Sequence, residues 1–151
     1  MKVVFKLTDI TALDNQLEQI ANHYNSSVKL QDTGQGKFIF VRSRIKIVEK
    51  SKNNEKYIHV WGAKQEDINY LSQHWGEPIK VLKMKMSPLE FASEIAELPN
   101  ANDLTKEDIM TLLEVTERDL GKYSRFIKMA SRRPSASDDV KKANNILEKI
   151  A

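Results

Sequence analysis

Apolar positions recur along almost the whole chain, and their period switches from two to about 3.6 and back. Residues 3–7 (Val-Val-Phe-Lys-Leu) predict a strand. Ile10, Leu13, Leu17, Ile20, Ala21 and Tyr24 then fall on one helical stripe. Thr8 or Asp9 is placed to cap that helix, and Asn25-Ser26-Ser27 ends it. Val28 to Leu30 has room for a short extra strand. Asp32-Thr33-Gly34-Gln35-Gly36 predicts a turn, because its glycines reach positive φ at little cost. The alternation is strongest over residues 37–49, which predict one strand. Ile39, Val41, Ile45 and Ile47 point one way, and Phe38, Phe40, Arg42, Arg44 and Lys46 point the other. After a polar turn, residues 56–61 predict a partner strand. Ile58 and Val60 share one of its faces; Tyr57, His59 and Trp61 share the other. A helix over about 64–75 presents Ile68, Leu71 and Trp75 and stops at Gly76. Ile79 to Met84 predicts the last strand.

This order predicts an α+β fold with a ferredoxin-like split βαβ sheet, βαββαβ with the short extra strand. Both crossover helices would cover one sheet face and leave the other free. A C-terminal helical region of about three helices follows. Ser87-Pro88-Leu89-Glu90 opens the first, with a capping serine and a proline at the first helical position. Thr105 to Asp108 is a second capping pattern. Beyond it Ile109, Leu113, Leu120, Tyr123, Ile127 and Ala130 recur at spacings of three, four or seven, with Thr116 in the gap. They predict one long helix ending before Pro134. Ser137 caps the last helix, which carries Val140, Ala143, Leu147 and Ile150. The division falls near Met86: a sheet domain over 1–86 and a helical region over 87–151. The apolar stripes of the tail call for a neighbour, which is the sheet, an adjacent tail helix or a second copy of the chain.

Composition narrows the function classes. Of 151 residues, 40% are hydrophobic, enough for a real core. Cysteine is absent, which removes disulfides, thiolate zinc sites and thiol nucleophiles together. The opening apolar run is broken by Lys2 and Lys6, unlike a signal peptide. No apolar stretch approaches the roughly 20 residues that cross a bilayer. The expectation is a cytoplasmic protein that does not engage a membrane. The net charge of +3 conceals segregation. Residues 1–85 hold 14 Lys and Arg against 9 Asp and Glu. Residues 86–117 hold one Lys against eight acids, and residues 118–151 hold nine basic residues against four acids. Either the acidic stretch folds back on a basic one, or each meets its own partner.

Candidate chemistry concentrates on the free sheet face. Phe38, Phe40, Arg42, Arg44, Lys46, Tyr57, His59 and Trp61 would stand there together. Aromatics stack unpaired bases and arginine meets phosphate, as on RNA-recognition sheets. Lys37-Phe38-Ile39-Phe40-Val41 echoes the core of their signature strand. It lacks the usual glycine and sits on the second strand instead of the third, so no family follows from it. The competing reading is that another element covers this face, the acidic part of the tail being the obvious cover.

Other motifs reduce to structure. Asp32-Thr33-Gly34 has the letters of an aspartic-protease triplet, but Gln31 and Gln35 flank it and the helical tail does not suit that all-β fold. Gly34-Gln35-Gly36-Lys37 lacks P-loop spacing. His23, His59 and His74 form no ligand pattern, so no metal and no cofactor is expected. Glu49-Lys50 misses the nuclease Glu-x-Lys spacing by one. Arg125, Lys128, Arg132 and Arg133 form a basic cluster that is either a phosphate contact or a solvated face. The sequence therefore points to a non-enzymatic nucleic-acid-binding or regulatory protein, single strands favoured. The alternative is a protein-interaction module, an inhibitor or adaptor of the type mobile genetic elements encode. In that case a protein partner or self-association engages residues 87–151.

Overall fold

The strongest alternation in the sequence folds as two strands, not one. A computed structural model describes residues 1–42, 44–82 and 86–150. Its strands are β1 (Lys2–Lys6), β2 (Val28–Leu30), β3 (Lys37–Val41), β4 (Ile45–Lys52), β5 (Glu55–Trp61) and β6 (Lys80–Leu82). Helix α1 (Leu13–His23) lies between β1 and β2, and α2 (Gln65–Trp75) between β5 and β6. Four helices follow: α3 (Pro88–Glu97), α4 (Lys106–Leu112), α5 (Glu117–Ser131) and α6 (Asp138–Ile150), with a 3-10 turn at Ala101–Asp103. The expected strand over 79–84 is described as far as Leu82; Lys83 and Met84 lie outside the described residues.

The strands form one sheet in the order β2-β3-β4-β5-β1-β6, and every neighbouring pair is antiparallel. The fold is α+β, but the order of elements departs from βαββαβ because β2 and β3 extend the sheet beyond β4. The reason lies in a short turn. The Arg44 amide donates to the Val41 carbonyl at 3.0 Å, and Val41 pairs with Ile45. A short turn of this kind preserves parity: Phe40 pairs with Lys46, so both stay on one face. Alternation alone therefore reads the same for one strand or a hairpin.

The chain divides into two compact units, Met1–Met84 with Thr111–Glu114, and Lys85–Met110 with Val115–Ala151. The core of the first unit lies between one sheet face and helices α1 and α2. Val3, Phe5, Ile39, Ile45, Ile47, Ile58 and Val60 come from the sheet, and Leu13, Leu17, Ile20, Ile68 and Leu71 from the helices. Two expectations shift locally. Helix α1 starts at Leu13, because the Asp9 carboxylate accepts from the Thr11 amide at 3.0 Å and its hydroxyl at 2.6 Å, making a local turn instead of a cap. Ile10 is consequently exposed.

In the second unit α6 packs against α3 and α5. Phe91 stacks on Tyr123 with ring centroids 4.5 Å apart, and the Tyr123 hydroxyl donates to the Met86 carbonyl at 2.6 Å. In this unit the expected caps at Ser87, Thr105 and Ser137 form. Ser87 accepts from the Glu90 amide at 3.2 Å, and Ser137 from the Val140 amide at 3.2 Å. Thr105 and Asp108 exchange reciprocal bonds at 2.9 and 3.2 Å. The single long helix expected over 105–133 is instead α4 and α5, so the described tail holds four helices. Glu114 turns to φ 54, and Thr116 starts α5 by accepting from the Asp119 amide at 3.1 Å. Among the described residues no helix is long and apolar enough to cross a membrane.

Candidate nucleic-acid interface

The sheet face opposite the first core is built by parity. Phe38 pairs with Val48, Phe40 with Lys46, Lys46 with Trp61, Val48 with His59, and Lys50 with Tyr57. Paired residues share a face, so six of the eight expected site residues, Phe38, Phe40, Lys46, Tyr57, His59 and Trp61, stand on it. Strand β1 lies beside β5, with Val4 opposite His59, and so brings Lys2 and Lys6 to the same face.

The ammonium groups of Lys2, Lys46 and Lys50 sit on rings there, whereas that of Lys6 pairs with Glu55 at 3.2 Å. Lys46 Nζ is 5.1 Å from the Phe38 centroid and 5.6 Å from that of Phe40. Trp61 carries two cations, Lys2 Nζ at 4.8 Å and Lys50 Nζ at 5.4 Å, with the His59 ring 5.8 Å away. The negative face of an aromatic ring attracts a cation, and burial strengthens the attraction. Sequence reasoning missed Lys2 and Lys50. The signal was present in the alternation of Lys2 with Val3 and of Lys50 with Glu49.

Several side chains of this face are buried. Trp61 is 0% exposed, Lys46 1% and Phe38 5%. Phe40, Lys50, Tyr57 and His59 are half-buried. A base has no route to the Trp61 ring in this state. Tyr57 sits at the rim, where its hydroxyl donates to Glu55 at 2.7 Å; that carboxylate holds the phenol above its ordinary pKa.

Arg42 and Arg44 do not stand on a strand, contrary to expectation. Both lie in the β3–β4 turn. Arg42 is exposed there, and the Arg44 side chain runs to helix α2. Its guanidinium donates to both carboxylate oxygens of Asp67 at 2.8 and 2.9 Å and to the Gly62 carbonyl at 3.3 Å. Asp67 is buried and also accepts from the Tyr24 hydroxyl at 2.8 Å and the Lys64 amide at 2.8 Å. Burial, then the bond to Asp67, push the Tyr24 phenol far above its ordinary pKa. Arg44 is a clamp on the first turn of α2.

The remaining motifs take structural places. Asp32-Thr33-Gly34 forms the exposed β2–β3 turn, with Gly34 at φ 74. The Glu49 carboxylate accepts from Lys56 Nζ at 2.7 Å and the Lys37 amide at 3.1 Å. A cleft of about 350 Å³ is lined by Lys6, Asp9, Gln16, His74 and Trp75 among others. Burial and the nearby His23 lower the His74 pKa. The Trp75 indole in that cleft donates to Gln16 at 3.0 Å, and Asp9 is held by Thr11. Among the described residues no cluster of His, Cys, Asp or Glu is arranged to hold a metal ion. Comparison with known proteins adds no assignment: no family model, no curated protein and no solved structure matches the chain.

Proposed function

We propose that this chain is a non-enzymatic, cytoplasmic nucleic-acid-binding or regulatory protein whose aromatic and basic sheet face receives single-stranded nucleic acid when that face is uncovered. The observation that carries the reading is the seating of Lys2, Lys46 and Lys50 over Trp61, Phe38 and Phe40. Rings that hold cations in this way offer π-faces to bases, and the released ammonium groups meet phosphates. We read β4-β5-β1-β6 with α1 and α2 as the split βαβ core that gives the sheet its second face. Because Trp61 and Phe38 are buried, binding requires an opening step, so access to Trp61 is the regulated event. The test is tryptophan fluorescence during titration of the full chain with a mixed-sequence single-stranded oligonucleotide, at low and high salt. Trp61→Phe separates Trp61 from Trp75. Quenching assigned to Trp61 that weakens with salt is expected. An unchanged Trp61 signal at low salt, from folded protein, overturns the reading.

A second reading, a protein-interaction module acting through the helical tail, is favoured by a different observation. On α5 Phe126 is 43% exposed and Met129 66%. An inhibitor or adaptor would use such side chains as anchors.

A further inference from the structure

Helix α5 carries cations whose placement the fold does not require. On a 3.6-residue period Arg118, Lys122 and Arg125 fall within one stripe of α5, opposite the buried Leu120 and Ile127; Arg132 caps the C-terminal end and Arg133 follows it. All five are exposed, and none makes an ion pair with a carboxylate among the described residues. By contrast Lys106, the first residue of α4, is paired with Glu117. Residues 120–137 contain five Lys and Arg and no acid. Helix α6, in the same unit, intersperses Asp138, Asp139 and Glu148 with its lysines. A helix that needs only a solvated face has no use for like charges at i, i+3 and i, i+4, which repel. The macrodipole accounts for Arg132 and Arg133 at the C-terminal end, but it opposes Arg118 in the first turn.

Phe126 and Met129 lie within the same exposed surface. From Arg118 to the C-cap Arg132 the helix runs about 21 Å. That length matches roughly six phosphates along one strand.

We infer that the exposed face of α5 is a second nucleic-acid contact, distinct from the sheet face, with the cations on backbone phosphates and Phe126 stacked on an unpaired base. The charge complementarity selects a polyanion, and the exposed ring beside the cations selects one with free bases. The inference does not depend on the sheet face opening.

The test is anisotropy of a labelled mixed-sequence single-stranded oligonucleotide titrated with the full chain, unmodified and as Lys122→Gln/Arg125→Gln. Both positions are exposed, so the substitutions leave the fold intact, which a thermal melt verifies. With about four phosphate contacts, affinity falls roughly 50-fold between about 50 and 200 mM salt. Losing two contacts cuts that to roughly 7-fold and weakens binding by at least about tenfold at low salt. Phe126→Ala weakens single-strand binding by about fivefold or more and leaves a duplex of the same sequence unaffected. Equal affinity and salt slope in the double variant overturn the inference. So does no binding by the unmodified chain at low salt, or binding to phosphatidylserine vesicles without binding to the oligonucleotide. Trp61 quenching with an unchanged double variant leaves the sheet reading standing and removes this one. Loss of binding in the double variant with a silent Trp61 does the reverse.

Discussion

Replacing Asp67 isolates what Arg44 is for. In Asp67→Asn the carboxylate that accepts from Arg44, Tyr24 and the Lys64 amide becomes a neutral amide. One oxygen remains to accept, from Arg44 and either Tyr24 or the Lys64 amide, while the new N–H₂ turns a donor toward the donors left over. Removing one partner of a fully buried ion pair costs about 3–5 kcal/mol. The Arg44 side chain is 28% exposed, so water recovers part of that. The expected cost is about 2 kcal/mol for Asp67→Asn and about 3 kcal/mol for Asp67→Ala, which removes every acceptor. Trp61 and Trp75 both lie in the first unit, so their fluorescence reports its unfolding. With a urea slope near 2 kcal/mol/M, Asp67→Asn should move the midpoint down by about 1 M with the slope unchanged. Arg44→Gln should act on the same interaction, so the double variant should show a coupling of about 1–2 kcal/mol. A cost for Asp67→Asn under about 0.5 kcal/mol, or strict additivity, would refute the clamp and return Arg44 to the list of candidate phosphate ligands.

Three further outcomes follow from local geometry. Gly62 sits at φ 79, and a Cβ there would clash with the Arg44 carbonyl, so Gly62→Ala should cost about 2–3 kcal/mol in the same urea titration. The raised Tyr24 pKa favours the folded state while the phenol stays protonated. Its contribution is complete below the ordinary tyrosine value of about 10 and is lost as pH rises above it. Tyr24→Phe should therefore be less sensitive than the parent to alkali in a melt series between about pH 8 and pH 11. Thr116→Ala removes the α5 cap and should lower stability by about 1 kcal/mol, read by helical circular dichroism.

The sequence made the first core legible because its signal is redundant. Ile39, Ile45, Ile47, Ile58 and Val60 alternate, and Leu13, Leu17 and Ile20 repeat at helical spacing, so each segment independently identifies the buried side. The β3–β4 hairpin was hidden because its turn, which holds Arg42 and Arg44, shows no glycine or proline in the sequence between Val41 and Ile45 and keeps parity. The break between α4 and α5 was hidden for the same kind of reason. Glu114 takes a left-handed conformation that usually announces itself as Gly or Asn, at a cost of order 1 kcal/mol. Thr116-Glu117-Arg118-Asp119 was the available cue, a capping threonine with an acid three residues on. Arg44 was misplaced by the same missed turn. Once Arg42 and Arg44 leave the strand, strand alternation no longer says where an arginine points.

What decides the functional reading is where the cations go. Arg44 is spent on a carboxylate within its own unit. Lys2, Lys46 and Lys50 rest on rings, where their charge adds to the fold through contacts any ligand would have to replace. The α5 cations have neither kind of contact among the described residues and meet water. Long-range attraction of a polyanion depends on charges that solvent can reach, because those set the field outside the protein. On the proposed reading the sheet face holds a base only after it opens, whereas the exposed cations of α5 attract a polyanion as they stand. If both surfaces serve one ligand, salt should act first on the α5 contact and anisotropy should change at lower oligonucleotide concentration than Trp61 fluorescence. A Trp61 change that comes first, or at the same concentration in Lys122→Gln/Arg125→Gln, would assign the initial contact to the sheet.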